Sequence, residues 1–166
     1  MKIDLLNQKI EEENALNKPI IENFSKVKYK AMNDNDIRWK QRFHNYDKAL
    51  MLLRDALQIP NPDMVQKAGI IQFFEMSFEL AWNQLIDYLE EQGFVEVKSP
   101  RSALKKAFEI GLIEHGHSWM DLLSDRNLTS HTYDEQKATE LEMLIHQKYF
   151  PILQALHTKF KEKIDA

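Results

Sequence analysis

Apolar residues recur along most of this chain at alternating spacings of three and four, the repeat of helices that each bury one face. Trp39, Phe43, Tyr46, Leu50, Leu53 and Leu57 form such a stripe and predict a helix from about Asp36 to Ile59. Pro60 and Pro62 end it, and a second helix is predicted from about Asp63 to Gln92, closed by Gly93, which takes a left-handed C-terminal conformation at little cost. The second helix carries two adjoining stripes, Ile71/Phe74/Phe78/Leu85 and Ile70/Phe73/Leu80. Two stripes require more than one neighbour, so this is the expected central helix.

Residues Phe94 to Lys98 read as a loop or a short extended piece. Ser99 followed by Pro100 is the pattern of an N-cap with proline in the first turn, opening a short helix to about Ile110. After Gly111 to Gly116, Ser118 is expected to cap another short helix from Trp119 to about Thr129. Asp134 opens a last long helix whose predicted buried line is Ala138, Leu141, Ile145, Ile152, Leu156 and Phe160, with Pro151 expected to kink it or interrupt its hydrogen bonding. The fold class is all-α: an up-and-down four-helix bundle with a short helical pair inserted between its long members.

Composition agrees with long helices. The 166 residues are 43% hydrophobic and 29% charged with only four glycines and five prolines, which disfavours an all-β sandwich or a Gly-rich nucleotide-binding fold. Without cysteine there is no disulfide framework, thiolate zinc site or cysteine nucleophile. No run approaches 18 apolar residues, and the opening MKIDLLNQKIEEEN sets three glutamates where a signal peptide needs its apolar segment; the expectation is a cytoplasmic protein with no membrane partner. Residues 1–35 hold six lysines, six acids, Pro19 and weak periodicity, and read as an N-terminal appendage to a bundle domain over residues 36–166.

Charge is distributed unevenly. Arg38 to Arg54 carries five basic residues against Asp47, whereas Glu75 to Glu96 carries six acids and no Lys or Arg. Such a pair suits antiparallel neighbours whose surfaces complement each other, and the net charge of −4 argues against indiscriminate nucleic-acid binding. Several residues invite chemistry and have simpler readings. His115 and His117 beside Glu114 lie in a Gly-bearing loop without a third ligand in sequence, so no metal site is expected; His44, His146 and His157 read as surface or edge residues, and Trp82 as core. Glu75 and Glu79 are one turn apart without the Glu-x-x-His motif of a carboxylate-bridged metal pair, and Glu79 reads as structural or as part of a partner surface.

The segment Asp125-Arg126-Asn127-Leu128-Thr129-Ser130-His131-Thr132-Tyr133-Asp134 gathers many side-chain donors and one titratable base between two amphipathic helices. Capping explains much of that polarity: Thr129, Ser130 and Thr132 can satisfy helix ends, Asp134 can cap the last helix, and Arg126 can pair with Asp125 or Asp121. The spacing Arg126, four residues, His131, one residue, Tyr133 also resembles the R-x4-H-x-Y signature of HEPN domains, especially the HepT-type toxins and the nucleotidyltransferase substrate-binding protein family. Ile37 to Phe43, Phe78-Glu79-Leu80-Ala81-Trp82 and Arg126 to Glu135 resemble that family in the same order, over roughly three-quarters of the chain.

The resemblance implies a homodimer that works with a cognate minimal nucleotidyltransferase in a toxin-antitoxin module. It also implies a metal-independent, cofactor-free ribonuclease in which Arg126 and His131 from two protomers form the cleaving site, with Asn127 and Ser130 as supporting polar residues. Tyr133 is the implied target of adenylylation, which would silence the site. These residue types suit the chemistry, since an imidazole exchanges protons near neutral pH and a guanidinium clamps phosphate oxygens. Five positions along an ideal α-helix turn about 500°, leaving Arg126 and His131 roughly 140° apart. Either the helix ends near Thr129 and the chain turns back, or the groups that meet come from two subunits. The alternative function is a non-catalytic substrate-binding subunit whose dimer groove presents a substrate to a separate nucleotidyltransferase, and the partner bound at the junction is correspondingly RNA to be cleaved or a nucleotide.

Overall fold

The structure is a computed structural model and describes Trp39 and residues 41–166; the N-terminal appendage expected over residues 1–35 lies outside the described residues. Helix α1 spans residues 41–56, with Trp39 already helical. It is followed by α2 (Met64–Glu91), α3 (Pro100–Glu109) and α4 (Gly116–Asp125). A 3₁₀ turn (Arg126–His131) leads to α5 (Glu135–Leu144), and a π turn (Ile145–Tyr149) joins that helix to α6 (Phe150–Asp165). Among the described residues every regular element is helical, and α3 and α4 are the short pair set between long members.

The ends of the helices are written locally. Asp63 accepts from the Gln66 amide while Gln66 reaches back to the Asp63 N–H, and Ser99 and Ser102 form the same reciprocal box ahead of Pro100. Gly93 follows α2 at φ +92°, the left-handed position anticipated for it. At α4 the expectation fails. The helix starts at Gly116, two residues before Ser118, and its N-cap is His115 in the left-handed conformation, with no side-chain cap hydrogen bond. A Cβ at Gly116 would come within 3.1 Å of the Phe108 ring, so the close approach of the two short helices, rather than a capping hydroxyl, sets this start.

The central helix α2 packs against α3, α5 and α6, and buries Ile70, Ile71, Phe74, Phe78, Leu85 and Leu89. From α1, Tyr46 and Leu53 are fully buried, and the Tyr46 hydroxyl donates to the Leu153 carbonyl at 2.7 Å. An aromatic group of Trp39, Tyr88 and Phe160 closes one part of the core, with Trp39 and Phe160 edge-to-face at 5.9 Å. The charge segregation of α1 and α2 resolves partly into a direct pair between Arg42 and Asp87.

Two packing expectations are corrected. His157 is a buried residue, not a surface one: its Nε2 lies 2.7 Å from Asp47 Oδ1 and its ring stacks on Phe43, so a carboxylate and an aromatic face from α1 compensate its loss of water. Trp82 is only half-buried, packed against the edge of the core.

The last helix is buried through Ala138, Leu141, Ile145, Tyr149, Leu153, Leu156 and Phe160, so Leu153 and Tyr149 replace the expected Ile152. The cause is the π turn. The Phe150 N–H bonds to the Ile145 carbonyl five residues back, which inserts one extra residue and shifts the helical phase by about 100°. Pro151, which has no N–H to give, sits in the first turn beyond this widening, where an interrupted ladder costs least.

Candidate functional site

The α-helical winding of α4 stops at Asp125, four residues earlier than the sequence indicates, and Arg126–His131 continues as a 3₁₀ turn with no buried residue. Its tight winding is held by its own hydroxyls: Thr129 Oγ1 donates to the Arg126 carbonyl at 2.7 Å and Ser130 Oγ to the Asn127 carbonyl at 3.2 Å. Asp134 then caps α5 by accepting from the Lys137 N–H, and its own N–H donates to the His131 carbonyl. Much of the polarity of this junction is therefore spent on helix ends, as capping alone predicts.

Three side chains are not spent that way. Arg126 points to α2, where a guanidinium nitrogen lies 2.8 Å from Glu79 Oε2. The N–H is not aimed along that line, so the pair is a contact of charges rather than an aligned hydrogen bond, and at the half-exposed surface it contributes little stability. Arg126 therefore pairs with neither Asp125 nor Asp121. Asp121 accepts from Lys148 Nζ at 2.6 Å, and Asp125 accepts from the Tyr149 hydroxyl. His131 and Tyr133 meet each other, with Nδ1 3.2 Å from Oη and the rings edge-to-face at 5.9 Å. Asn127 and Ser130 are exposed on the same turn.

The Tyr149 contact has no counterpart in the sequence pattern. Tyr149 is fully buried, stacks on Phe74 at 5.7 Å, and anchors the residue immediately before Arg126. Burial, reinforced by the Asp125 carboxylate, pushes its hydroxyl well above the ordinary tyrosine range, so it stays a donor. Glu79 stands out in sequence, but its tie to Arg126 spans the chain from α2 to the 3₁₀ turn and leaves no local trace.

In a 3₁₀ turn five positions rotate about 600° and rise about 10 Å, so Arg126 and His131 leave the chain about 120° apart. The tighter winding does not bring them face to face. The two cavities of about 270 and 400 Å³ that run along α6 between the Leu112 loop and Lys159 include no residue of the Arg126–Tyr133 segment. Among the described residues no group of three or more His, Asp or Glu side chains is placed to hold a metal ion. No described helix is long and apolar enough to cross a membrane.

Comparison with known proteins bears on this arrangement. A Thermus thermophilus protein of known crystal structure superimposes with a TM-score of 0.61 at 28% identity, covering 73% of this chain and 99% of that one. A Haemophilus influenzae protein, described as revealing the fold of a substrate binding domain of a nucleotidyltransferase, gives a TM-score of 0.52 at 25% identity over 74% of this chain and 96% of its own. In sequence, the chain is 33% identical over 84 residues to a Haemophilus influenzae protein called "Probable ribonuclease HepT", covering 46% of this chain and 58% of that relative's length. The model described as "Nucleotidyltransferase substrate binding protein like" matches residues 41–162, from the start of α1 to near the end of α6. With that match over most of its length, the chain belongs to the nucleotidyltransferase substrate binding protein-like family.

Proposed function

We propose that this protein is a HepT-like ribonuclease of the HEPN type, active as a homodimer in the cytoplasm and controlled by a cognate minimal nucleotidyltransferase in a toxin-antitoxin module. The observation that carries the proposal is the presentation of Arg126 and His131 on one turn that buries no residue, about 120° apart and outside the two hollows along α6. A second copy set against this turn supplies the missing wall and lets the groups of the two protomers converge. Asn127 and Ser130 then border the strand as supporting polar residues.

The chemistry follows from the residues. His131 takes the proton of a ribose 2′-hydroxyl, whose oxygen attacks the adjacent phosphorus. The bond to the 5′-oxygen breaks, that oxygen takes a proton from solvent to leave as a 5′-hydroxyl, and a 2′,3′-cyclic phosphate remains. Arg126 exchanges its loose contact with Glu79 for the phosphorane oxygens, whose extra charge exists only in the transition state. Adenylylation of Tyr133, which is 79% exposed, places a phosphate and a nucleoside beside His131 and blocks access.

The test is cleavage of single-stranded RNA by the purified protein in EDTA. His131→Ala and Arg126→Ala are each expected to lower the rate on the order of 10²-fold or more with circular dichroism unchanged. The engagement of Arg126 by Glu79 favours a second reading, a non-catalytic subunit that presents a substrate to the nucleotidyltransferase. Wild type and both variants equally inert toward RNA, with tight binding to the nucleotidyltransferase retained, would establish that reading instead.

A further inference from the structure

His131 and Tyr133 form a nucleophile and base within one chain. The phenol oxygen is 3.2 Å from Nδ1, the rings meet edge-to-face, and Tyr133 is 79% exposed while His131 is half-buried. An exposed phenol is a poor nucleophile as long as it keeps its proton, and an imidazole at hydrogen-bond distance is the group that relieves it of that proton as the new bond forms. The other tyrosines of the described chain lack this arrangement. Tyr46 donates to a backbone carbonyl and Tyr149 to Asp125, both buried, and burial first of all raises both hydroxyls, while Tyr88 is covered by Trp39, Phe160 and Lys163.

We propose that His131 is the proton acceptor that makes Tyr133 a nucleophile, so that the chain supplies the base for its own modification. This rests on the reading of Tyr133 as a modified residue. The Tyr133 Oη attacks the α-phosphorus of a nucleoside triphosphate held by the nucleotidyltransferase, and the Oη–P bond forms. The bond from the α-phosphorus to the bridging oxygen breaks, pyrophosphate leaves, and the phenol proton passes to His131 Nδ1. The same histidine thereby serves two reactions that exclude each other: in the unmodified chain it is the base offered to RNA, and once it has taken the Tyr133 proton it stands beside the adenylylated product.

A small arylsulfonyl fluoride tests the pair without RNA or nucleotidyltransferase, because it accepts a phenol oxygen at sulfur with loss of fluoride. Labelling of each tyrosine in the full chain is followed by peptide mass spectrometry. Tyr133 is expected to react on the order of tenfold faster than free N-acetyltyrosine amide. His131→Ala and His131→Asn should both lose that advantage, and added imidazole should restore it in the alanine variant, which a merely structural role would not allow. A Tyr133 rate equal to that of the free amide, labelling undiminished in both His131 variants, or a loss that imidazole fails to repair would each overturn the proposal. Should the protein prove inert toward RNA, this measurement still stands, so the two readings fail separately.

Discussion

At the scale of single residues, the feature with the largest consequence is a hydroxyl that never meets water. Tyr149 donates to Asp125 from a buried position and stacks on Phe74, so Tyr149→Phe keeps the packing and removes one charge-assisted hydrogen bond. The expected cost is about 1.5–3 kcal/mol, a fall in Tm of the order of 5–10 °C in a domain of this size. Thermal unfolding followed by circular dichroism checks it. Tyr149 and Tyr46 also set the alkaline limit. Burial is the main cause that raises both hydroxyls above the ordinary value of 10.0, so the folded chain holds their protons more tightly than the unfolded chain. The stability they contribute is complete below pH 10 and is lost as the pH rises above it, where the unfolded chain ionises first. In a pH titration, phenolate absorbance from these two residues should appear only together with loss of helicity, and Tyr149→Phe should shrink that coupled step. The sequence marks Arg126, His131 and Tyr133 by spacing, because a motif is local. It holds no sign of Glu79 against Arg126 or of Tyr149 against Asp125, because each of those contacts is made by the fold and joins residues 47 and 24 positions apart.

Among the elements, the last long helix separates what periodicity predicts from what packing decides. Asp63, Ser99, Gly93 and Asp134 mark helix ends through interactions reaching three or four residues, and all four are legible in the sequence. Pro151 is legible as a disturbance, but not the form it takes. The π turn adds its extra residue ahead of the proline, and the stripe read through as a single phase then names Ile152 where the structure buries Leu153. Substitution distinguishes the two phases. Leu153→Ala should cost about 2–5 kcal/mol as a fully buried residue, and Ile152→Ala less than about 1.5 kcal/mol, measured by urea unfolding with unchanged slope. A larger cost at Ile152 than at Leu153 would mean that the helix runs through without the turn. A similar competition shortens α4, where the hydroxyls of Thr129 and Ser130 return to carbonyls three residues back and favour 3₁₀ winding over a continued α-helix.

For the molecule as a whole, stability and candidate chemistry occupy different places. The core runs through all six helices, whereas the Arg126–His131 turn between α4 and α5 buries no residue and is held by hydrogen bonds within its own span, by the contact of Arg126 with Glu79 on α2 and by the Asp125 anchor that precedes it. Hydrogen exchange followed by mass spectrometry should therefore show amides of residues 126–131 exchanging first. Amides in the middle of α2 should exchange only with global unfolding, and saturation with a nucleic acid or a second copy should protect the turn alone. The turn's lack of burial also determines what a library of variants would reveal. Substitutions of side chains there that hold no helix end escape the folding filter that removes core changes, so a screen reading melting temperature or soluble yield would score Asn127 and His131 variants as neutral. Only an assay of the proposed cleavage or binding would register a change at those positions.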